Sequence, residues 1–521
     1  MRVTRVILRF VAAVMVPWLM ATLATPAQAS TPLEARCRGL GAIDFSATRD
    51  ASFTLTSAKV VDVDGGVPFC RAEGYVVPEI SFEMRLPLVG WNRGFVLVGS
   101  GGWANRKSLN LCDGPLRKGY ACIAGDSGHH QGDGLWMQSS PQSKIDWGYR
   151  ATHVKAIAGK TIARSLYDQP PTMSLMLGCS TGGYQGLVEA QRFPWDFNGI
   201  VAIAPDIDEG DLSMRTAWAA RQLVRADGRP MFATGDLAVL HRAALNACDG
   251  SDGLRDGIIG DPLACRFDAR TVACKTGATS DCLSADQVAA AARIYAGPTT
   301  STGRRLSTAG PLPGSELMWP NILDDVSFAQ NFFRFALTDS PRDGFPADKF
   351  DFDEDYKRLG LAGTFVSSNP DLRRFDQAGG KLLIVQGGND VTEQARAAVE
   401  YYQMVERVSG GREAARAFAR LFLVPGMNHC SGGDGAFAVD WFGAIERWVA
   451  EGKPPEALVA AHVPAWTAGE TGIEAGITAP SPGEPVTFRR PVYPYPLYAR
   501  YKGHGDVNDA ASFRPAASRQ P

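Results

Sequence analysis

The chain has 521 residues, 45% of them hydrophobic and 21% charged, with a formal net charge of −2. That length allows one large domain with a substantial insertion, or about three average domains, and the balance fits an ordinary globular protein with a large core. A near-neutral charge with no lysine/arginine run excludes nucleic acid or an anionic membrane surface as the main partner.

The first 29 residues read as a secretory signal. Arg2, Arg5 and Arg9 precede an apolar stretch over 11–23, and Ala27-Gln28-Ala29 is an A-x-A cleavage site. The stretch is short for a membrane span and Pro17 interrupts it. Cleavage between Ala29 and Ser30 removes three arginines and no acid, taking the net charge to −5. The expected location is secreted or periplasmic. Ten cysteines in an exported chain, none in C-x-x-C, read as disulfides rather than metal ligands. Spacing favours Cys248–Cys265 and Cys274–Cys282 as local loops, and Cys37–Cys70 would staple the N-terminal segment.

Short apolar strands come next. Residues 60–63 and 75–77 are valine-rich. Residues 95–99 form a short buried strand that ends in Ser100-Gly101-Gly102-Trp103, and 120–124 form another that ends in Gly125-Asp126. Residues 173–177 lead into Gly178-Cys179-Ser180-Thr181-Gly182, and 199–203 end at Ala204-Pro205. Helix-like segments at 146–166 and 182–192 alternate with these strands, so the class is α/β with a mainly parallel sheet. From about residue 206 to 377 clean strands vanish. Strands resume at 381–385 and 420–424, with helix-like stretches at 391–408 and 436–451. Residues 30–205 and 378–521 thus read as two parts of one domain, and 206–377 as an insertion roofing its site. From about residue 454 the composition predicts an extended surface segment.

The chemistry lies at the strand ends. G-x-S-x-G after a strand and before a helix is a nucleophile elbow, with Ser180 as nucleophile. A serine hydroxyl needs a base to take its proton, and His429, in Pro425-Gly426-Met427-Asn428-His429-Cys430, is the candidate. The acid that orients the imidazole belongs between them in the chain. Asp390 follows the 382–385 strand and fits. Asp376 is a less well placed stand-in, and a plain turn-forming role for Asp390 competes. If Ser180 and His429 share a hydrogen bond, Cys179 and Cys430 come close enough to pair, which leaves Cys112 and Cys122 for each other. An oxyanion needs two backbone N–H donors: one from Thr181, the other from the Gly101-Gly102 turn.

A second constellation is Cys248-Asp249-Gly250-Ser251-Asp252-Gly253-Leu254-Arg255-Asp256-Gly257-Ile258. Three aspartates separated by glycines offer hard oxygen ligands suited to Ca²⁺, although an Asp/Gly-rich solvated turn has the same composition. The spacing is not that of an EF-hand, and the role would be structural. Trp319, Phe328, Phe332, Phe333 and Phe335 could line an acyl pocket or form the insertion's own core.

Gly178-Cys179-Ser180-Thr181-Gly182-Gly183, Glu189-Ala190-Gln191-Arg192-Phe193-Pro194, Pro425-Gly426-Met427-Asn428-His429-Cys430 and Ala499-Arg500-Tyr501-Lys502-Gly503 resemble the tannase and fungal-type feruloyl esterase family over nearly the whole mature chain. The resemblance implies an α/β-hydrolase fold with a large lid and a Ser180/Asp390/His429 triad supported by Cys179–Cys430. It also implies a structural calcium in the lid, held by Asp249, Asp252, Asp256 and the carbonyls of Leu254 and Ile258. The implied activity is hydrolysis of small aromatic (phenolic) acid esters through an acyl-enzyme. Three positions depart from the family pattern: Val391 where a proline is usual, Tyr184 for a usual arginine, and Tyr493 for a usual cysteine. Two other classes share these features: a peptidase or amidase with the same triad, and a catalytically idle, calcium-bound protein that captures phenolic ligands.

Overall fold

The computed structural model describes residues 32–130, 132–277, 280–308, 310–337, 347–464, 480 and 483–518. The signal segment 1–29 lies outside them. Three strands open the main sheet as an antiparallel meander: β1 (Phe53–Val61), β2 (Phe69–Val76) and β3 (Ile80–Pro87). In β1, Phe53 and Leu55 are buried while Thr54 and Thr56 face water, the alternation expected of a sheet covered on one face. The valine-rich runs thus belong to longer strands, whose polar residues hide them from a reading by apolar content.

Six further strands follow: β4 (Gly94–Val98), β5 (Ala121–Gly125), β6 (Met173–Cys179), β7 (Gly199–Ile203), β8 (Lys381–Gly387) and β9 (Ala419–Val424). The nine strands run in the order β1-β2-β3-β5-β4-β6-β7-β8-β9. β3 pairs antiparallel with β5, and every later pair is parallel. All residues of β4, β5 and β7 are buried, as parallel strands sandwiched between helices must be. Side chains alternate between the two faces. Phe95 and Leu97 join one core with helices Ala151–Tyr167, Thr181–Arg192 and Ala395–Val408, while Val96 and Val98 join the other with helix Trp441–Glu451. A parallel sheet of this order, with a strand-to-helix elbow at the end of β6, is the α/β-hydrolase fold.

Between β7 and β8 the described residues contribute no strand to this sheet. They form helices Glu209–Leu223, Thr234–Cys248, Ala285–Ala296 and Asn321–Phe335, joined by turns. This inserted segment builds its own apolar clusters. One holds Leu237, Leu240, Ile294, Trp319 and Ile322, and Val391 completes it from the turn after β8, so this valine is a packing residue. The other joins Phe332, Phe333 and Phe335 to Trp103, Trp136 and Trp147 of the hydrolase loops. Tyr184 is fully buried there and donates to the carbonyls of Gly148 and Thr364.

Helix starts shift where a site or cap intervenes. The expected 391–408 helix begins at Ala395, because the preceding turn is used by Asp390. The expected 436–451 helix begins at Trp441, where the Asp440 side chain accepts from the Gly443 amide. The expected 146–166 helix opens with a π turn, Asp146–Arg150. The C-terminal region differs from the extended segment predicted for it. It forms two hairpins, β10 (Leu458–His462) with β11 (Phe488–Val492) and β12 (Leu497–Tyr501) with β13 (Phe513–Ala517). Pro491 and Pro515 within them masked the strand pattern, yet proline is tolerated on edge strands.

Five disulfides use all ten cysteines: Cys37–Cys70, Cys112–Cys122, Cys179–Cys430, Cys248–Cys265 and Cys274–Cys282. No helix among the described residues is long and apolar enough to cross a membrane. Cys179–Cys430 closes 251 residues of chain, so its loss releases a large denatured-state loop. The Cys179→Ala/Cys430→Ala double variant is expected to lose about 3 kcal/mol of unfolding free energy. Urea titration under non-reducing conditions measures this, and an unchanged midpoint would contradict it.

Candidate active site

Ser180 occupies the turn between β6 and helix Thr181–Arg192 with φ 60° and ψ −124°. That conformation is strained for a residue with a Cβ, and it lifts the hydroxyl out of the sheet. The flanking glycines are needed for the close approach. A Cβ on Gly178 would lie 2.5 Å from the Gly182 carbonyl oxygen, and one on Gly183 would lie 2.6 Å from that of Ile203. The Ser180 amide donates to the Ile203 carbonyl at 3.0 Å, which ties the elbow to β7.

Asp390 follows β8 and is 1% exposed. Its carboxylate accepts from the amides of Thr392 and Glu393, both at 3.0 Å, from Gln386 Nε2 at 3.1 Å, and from His429 Nδ1 at 2.9 Å. These donors fix its direction. His429 lies in the loop after β9. The Asn389 amide donates to the Met427 carbonyl at 2.9 Å and the Gly388 amide to that of Val424 at 2.8 Å, so the acid's turn and the histidine's loop are stitched together. Burial disfavours the imidazolium, but the Asp390 carboxylate, through charge and hydrogen bond, and then Asp325 outweigh it and raise the His429 pKa. The side chain is still 31% exposed.

The structure thus brings Asp390 and His429 into direct contact and joins the neighbours of Ser180 and His429 covalently, with Cα atoms of Cys179 and Cys430 5.8 Å apart. No hydrogen bond between the Ser180 hydroxyl and His429 is present among the described residues. Asp376 lies in the short helix Arg373–Gln377, ahead of β8.

The turn after β4 reaches the same place. The Thr181 hydroxyl donates to the Gly102 carbonyl at 2.5 Å, and the Ser100 amide donates to Gln185 Oε1 at 3.2 Å. Helix Thr181–Arg192 therefore holds the Gly101-Gly102 turn against its own N-terminus, where the dipole favours negative charge. Gly102 has φ +59°, a conformation open to glycine at little strain. Of the five aromatic candidates, Trp319, Phe332, Phe333 and Phe335 are core, at 0–4% exposure, while Phe328 is 37% exposed. Its ring lies 3.7 Å from where a Gly102 Cβ would be and packs against Trp103 at 5.4 Å between centroids.

In the aspartate loop, Asp249 accepts from the amides of Asp256 and Gly257, Asp252 from that of Leu254, and Asp256 from that of Ile258. Arg490 of β11 pairs with Asp256 at 2.6 Å. Burial, with Asp256 and Asp249 close by, pushes Asp252 up to about 7. Crowded hard oxygens with an energetic cost to their charge are the donor chemistry of a divalent cation site. Among the described residues, the grouping of three His/Asp/Glu ligand atoms within 4.8 Å of one another is elsewhere, at His153, Glu189 and Asp196, and the three loop aspartates do not form one. Lys155 and Lys160 already supply positive charge there.

The family model for tannase and feruloyl esterase matches residues 58–516. A mono(2-hydroxyethyl) terephthalate hydrolase of Piscinibacter sakaiensis is 32% identical, over 91% of this chain and 88% of its own. A probable feruloyl esterase of Arthroderma benhamiae is 30% identical, over 84% and 83%. The crystal structure of feruloyl esterase B from Aspergillus oryzae shares the fold, with a TM-score of 0.81 at 24% identity, covering 93% of this chain and 100% of that one. The chain therefore belongs to the tannase and feruloyl esterase family and is a carboxylic ester hydrolase.

Proposed function

We propose that the protein is an exported serine esterase that hydrolyses small esters of aromatic, phenolic acids through a Ser180/Asp390/His429 triad. The observation that carries this reading is the 2.9 Å Asp390–His429 hydrogen bond beside a serine elbow, the two loops being bridged by Cys179–Cys430. Ser180 Oγ attacks the ester carbonyl as His429 Nε2 takes its proton. Asp390 holds Nδ1–H and stabilises the imidazolium. The carbonyl oxygen becomes an oxyanion facing the amides of Thr181 and of the Gly101-Gly102 turn. None of these three amides is engaged in a hydrogen bond among the described residues. His429 then protonates the leaving alcohol, and water activated by the same imidazole hydrolyses the acyl-enzyme. The exposed face of Phe328, beside the oxyanion turn, supports an aromatic acyl group. Residues 206–377 act as the lid that carries it. Five disulfides and the N-terminal signal pattern support export.

The aspartate loop supports a structural Ca²⁺ on Asp249, Asp252, Asp256 and the carbonyls of Leu254 and Ile258. The ion would neutralise these acids and brace the lid.

Ser180→Ala is expected to lower kcat by about 10⁴-fold or more with thermal stability retained. Turnover near wild type would remove Ser180 as the nucleophile. Phe328→Ala is expected to raise KM for a feruloyl or terephthaloyl monoester by about tenfold while leaving aryl acetates within about twofold. Equal effects on both would sink the aromatic-wall assignment. Chelation with EDTA is expected to lower Tm by several degrees, and Ca²⁺ to restore it better than Mg²⁺. A Tm indifferent to both would refute the cation.

A further inference from the structure

The lid helix Asn321–Phe335 carries an acid to the catalytic pair. Asp325 Oδ2 accepts from the Thr392 hydroxyl at 2.8 Å, and the Thr392 amide donates to Asp390 Oδ1 at 3.0 Å. One residue thus joins a lid carboxylate to the carboxylate that orients His429. Asp325 is half-buried and lies one turn before Phe328 on the same helix, so the contact that docks Asp325 also sets the height of the aromatic ring over Gly102.

We propose that Asp325 is a positioning residue of ester hydrolysis, seating the lid helix on Thr392 and presenting a second negative charge to the His429 imidazole. This rests on the Ser180/Asp390/His429 reading. Two carboxylates act on the imidazole, Asp390 in the turn after β8 and Asp325 on the lid helix. Other charged groups act on these two rather than on the ring: Asp324 on Asp325, and Glu393 with Asp390 and Asp325, Glu393 in turn being linked to Asp206, Arg215 and Glu209. Burial, reinforced by neighbouring carboxylates, holds Glu209 and Glu393 well above the ordinary carboxylate range. Asp206 is raised to about 7 by burial, partly countered by Glu209 and Arg215. Asp390, and after it Asp325, are the carboxylates whose negative charge favours the His429 imidazolium. Asp325 is itself raised by burial, and His429 acts against that rise. The pair is reciprocal: a charged imidazole favours the Asp325 carboxylate, and the carboxylate favours the imidazolium that forms as Ser180 loses its proton.

Asp325→Asn separates the roles, because the amide oxygen still accepts from Thr392 while the charge is gone. A carboxylate raises the pKa of a neighbouring imidazole, so its loss lets His429 deprotonate at lower pH. The acid limb of kcat/KM should move to lower pH, and the His429 titration followed by NMR should move with it. Near pH 7, kcat should fall by about threefold to tenfold with KM little changed. Asp325→Glu should return the limb toward its wild-type position. A role confined to lid packing would lower Tm and leave the titration in place. An unshifted limb and titration in Asp325→Asn, with wild-type Ser180 still labelled by a fluorophosphonate, overturns the role of Asp325 alone. Absence of that labelling in the wild type overturns the triad and this inference with it.

Discussion

The histidine loop has to cross the sheet. Ser180 stands at the end of β6 and His429 follows β9, three strands away in sheet order. At the usual inter-strand spacing this is about 14 Å, beyond the reach of an imidazole and a hydroxyl from their own strand ends. The loop must therefore turn back over β7 and β8, and the Cys179–Cys430 bond is the covalent tether that keeps it there. Asp390, at the end of β8, meets the loop on the way. Its two amide donors and Gln386 hold it still, so the imidazole has only one well-placed partner for Nδ1.

The same tether bears on the strain at Ser180. A non-glycine residue at positive φ costs about 1–3 kcal/mol and persists only where its surroundings determine it. Here the surroundings are the Ile203 carbonyl on one side, the close contact of Gly182 with the Gly99 backbone on another, and the disulfide at the preceding residue. Cys430 also sits at positive φ, 65°, so both ends of the bridge lie in sharply turned backbone. Hydrogen bonding, small residues and a covalent bond together preserve a geometry that local propensity opposes.

Much of this was legible in the chain because the chemistry sits at strand ends. Short apolar runs located β4 to β9, and the glycines around Ser180 marked the elbow. Asp390 and His429 were proposed from chain order and position after a strand, and the two side chains lie 2.9 Å apart. What stayed hidden has physical causes. β3 alternates Ile80, Phe82, Met84 and Leu86 with Ser81, Glu83 and Arg85, a two-residue period that a search for continuous apolar runs passes over, and β10 to β13 are short, partly polar hairpins containing prolines. Phe328 could not be told from Phe332 or Phe333 by residue type, since only the orientation of the helix exposes one of them. Asp325 gave no signal either. Its meaning comes from Thr392, distant in the chain and adjacent in space.

β7 and β8 are hydrogen-bonded neighbours, and the Ala204 amide, just past β7, donates to the Val385 carbonyl of β8 at 2.7 Å. The inserted segment thus departs and returns through one doorway in the sheet. Whatever is threaded through it, the strands on both sides keep the same register, and the entropy of closing the excursion grows only slowly with its length. Such a junction lets the excursion between β7 and β8 be lengthened, trimmed or exchanged while the sheet beneath stays fixed. A hydrolase of this design can diversify its diet without rebuilding its engine.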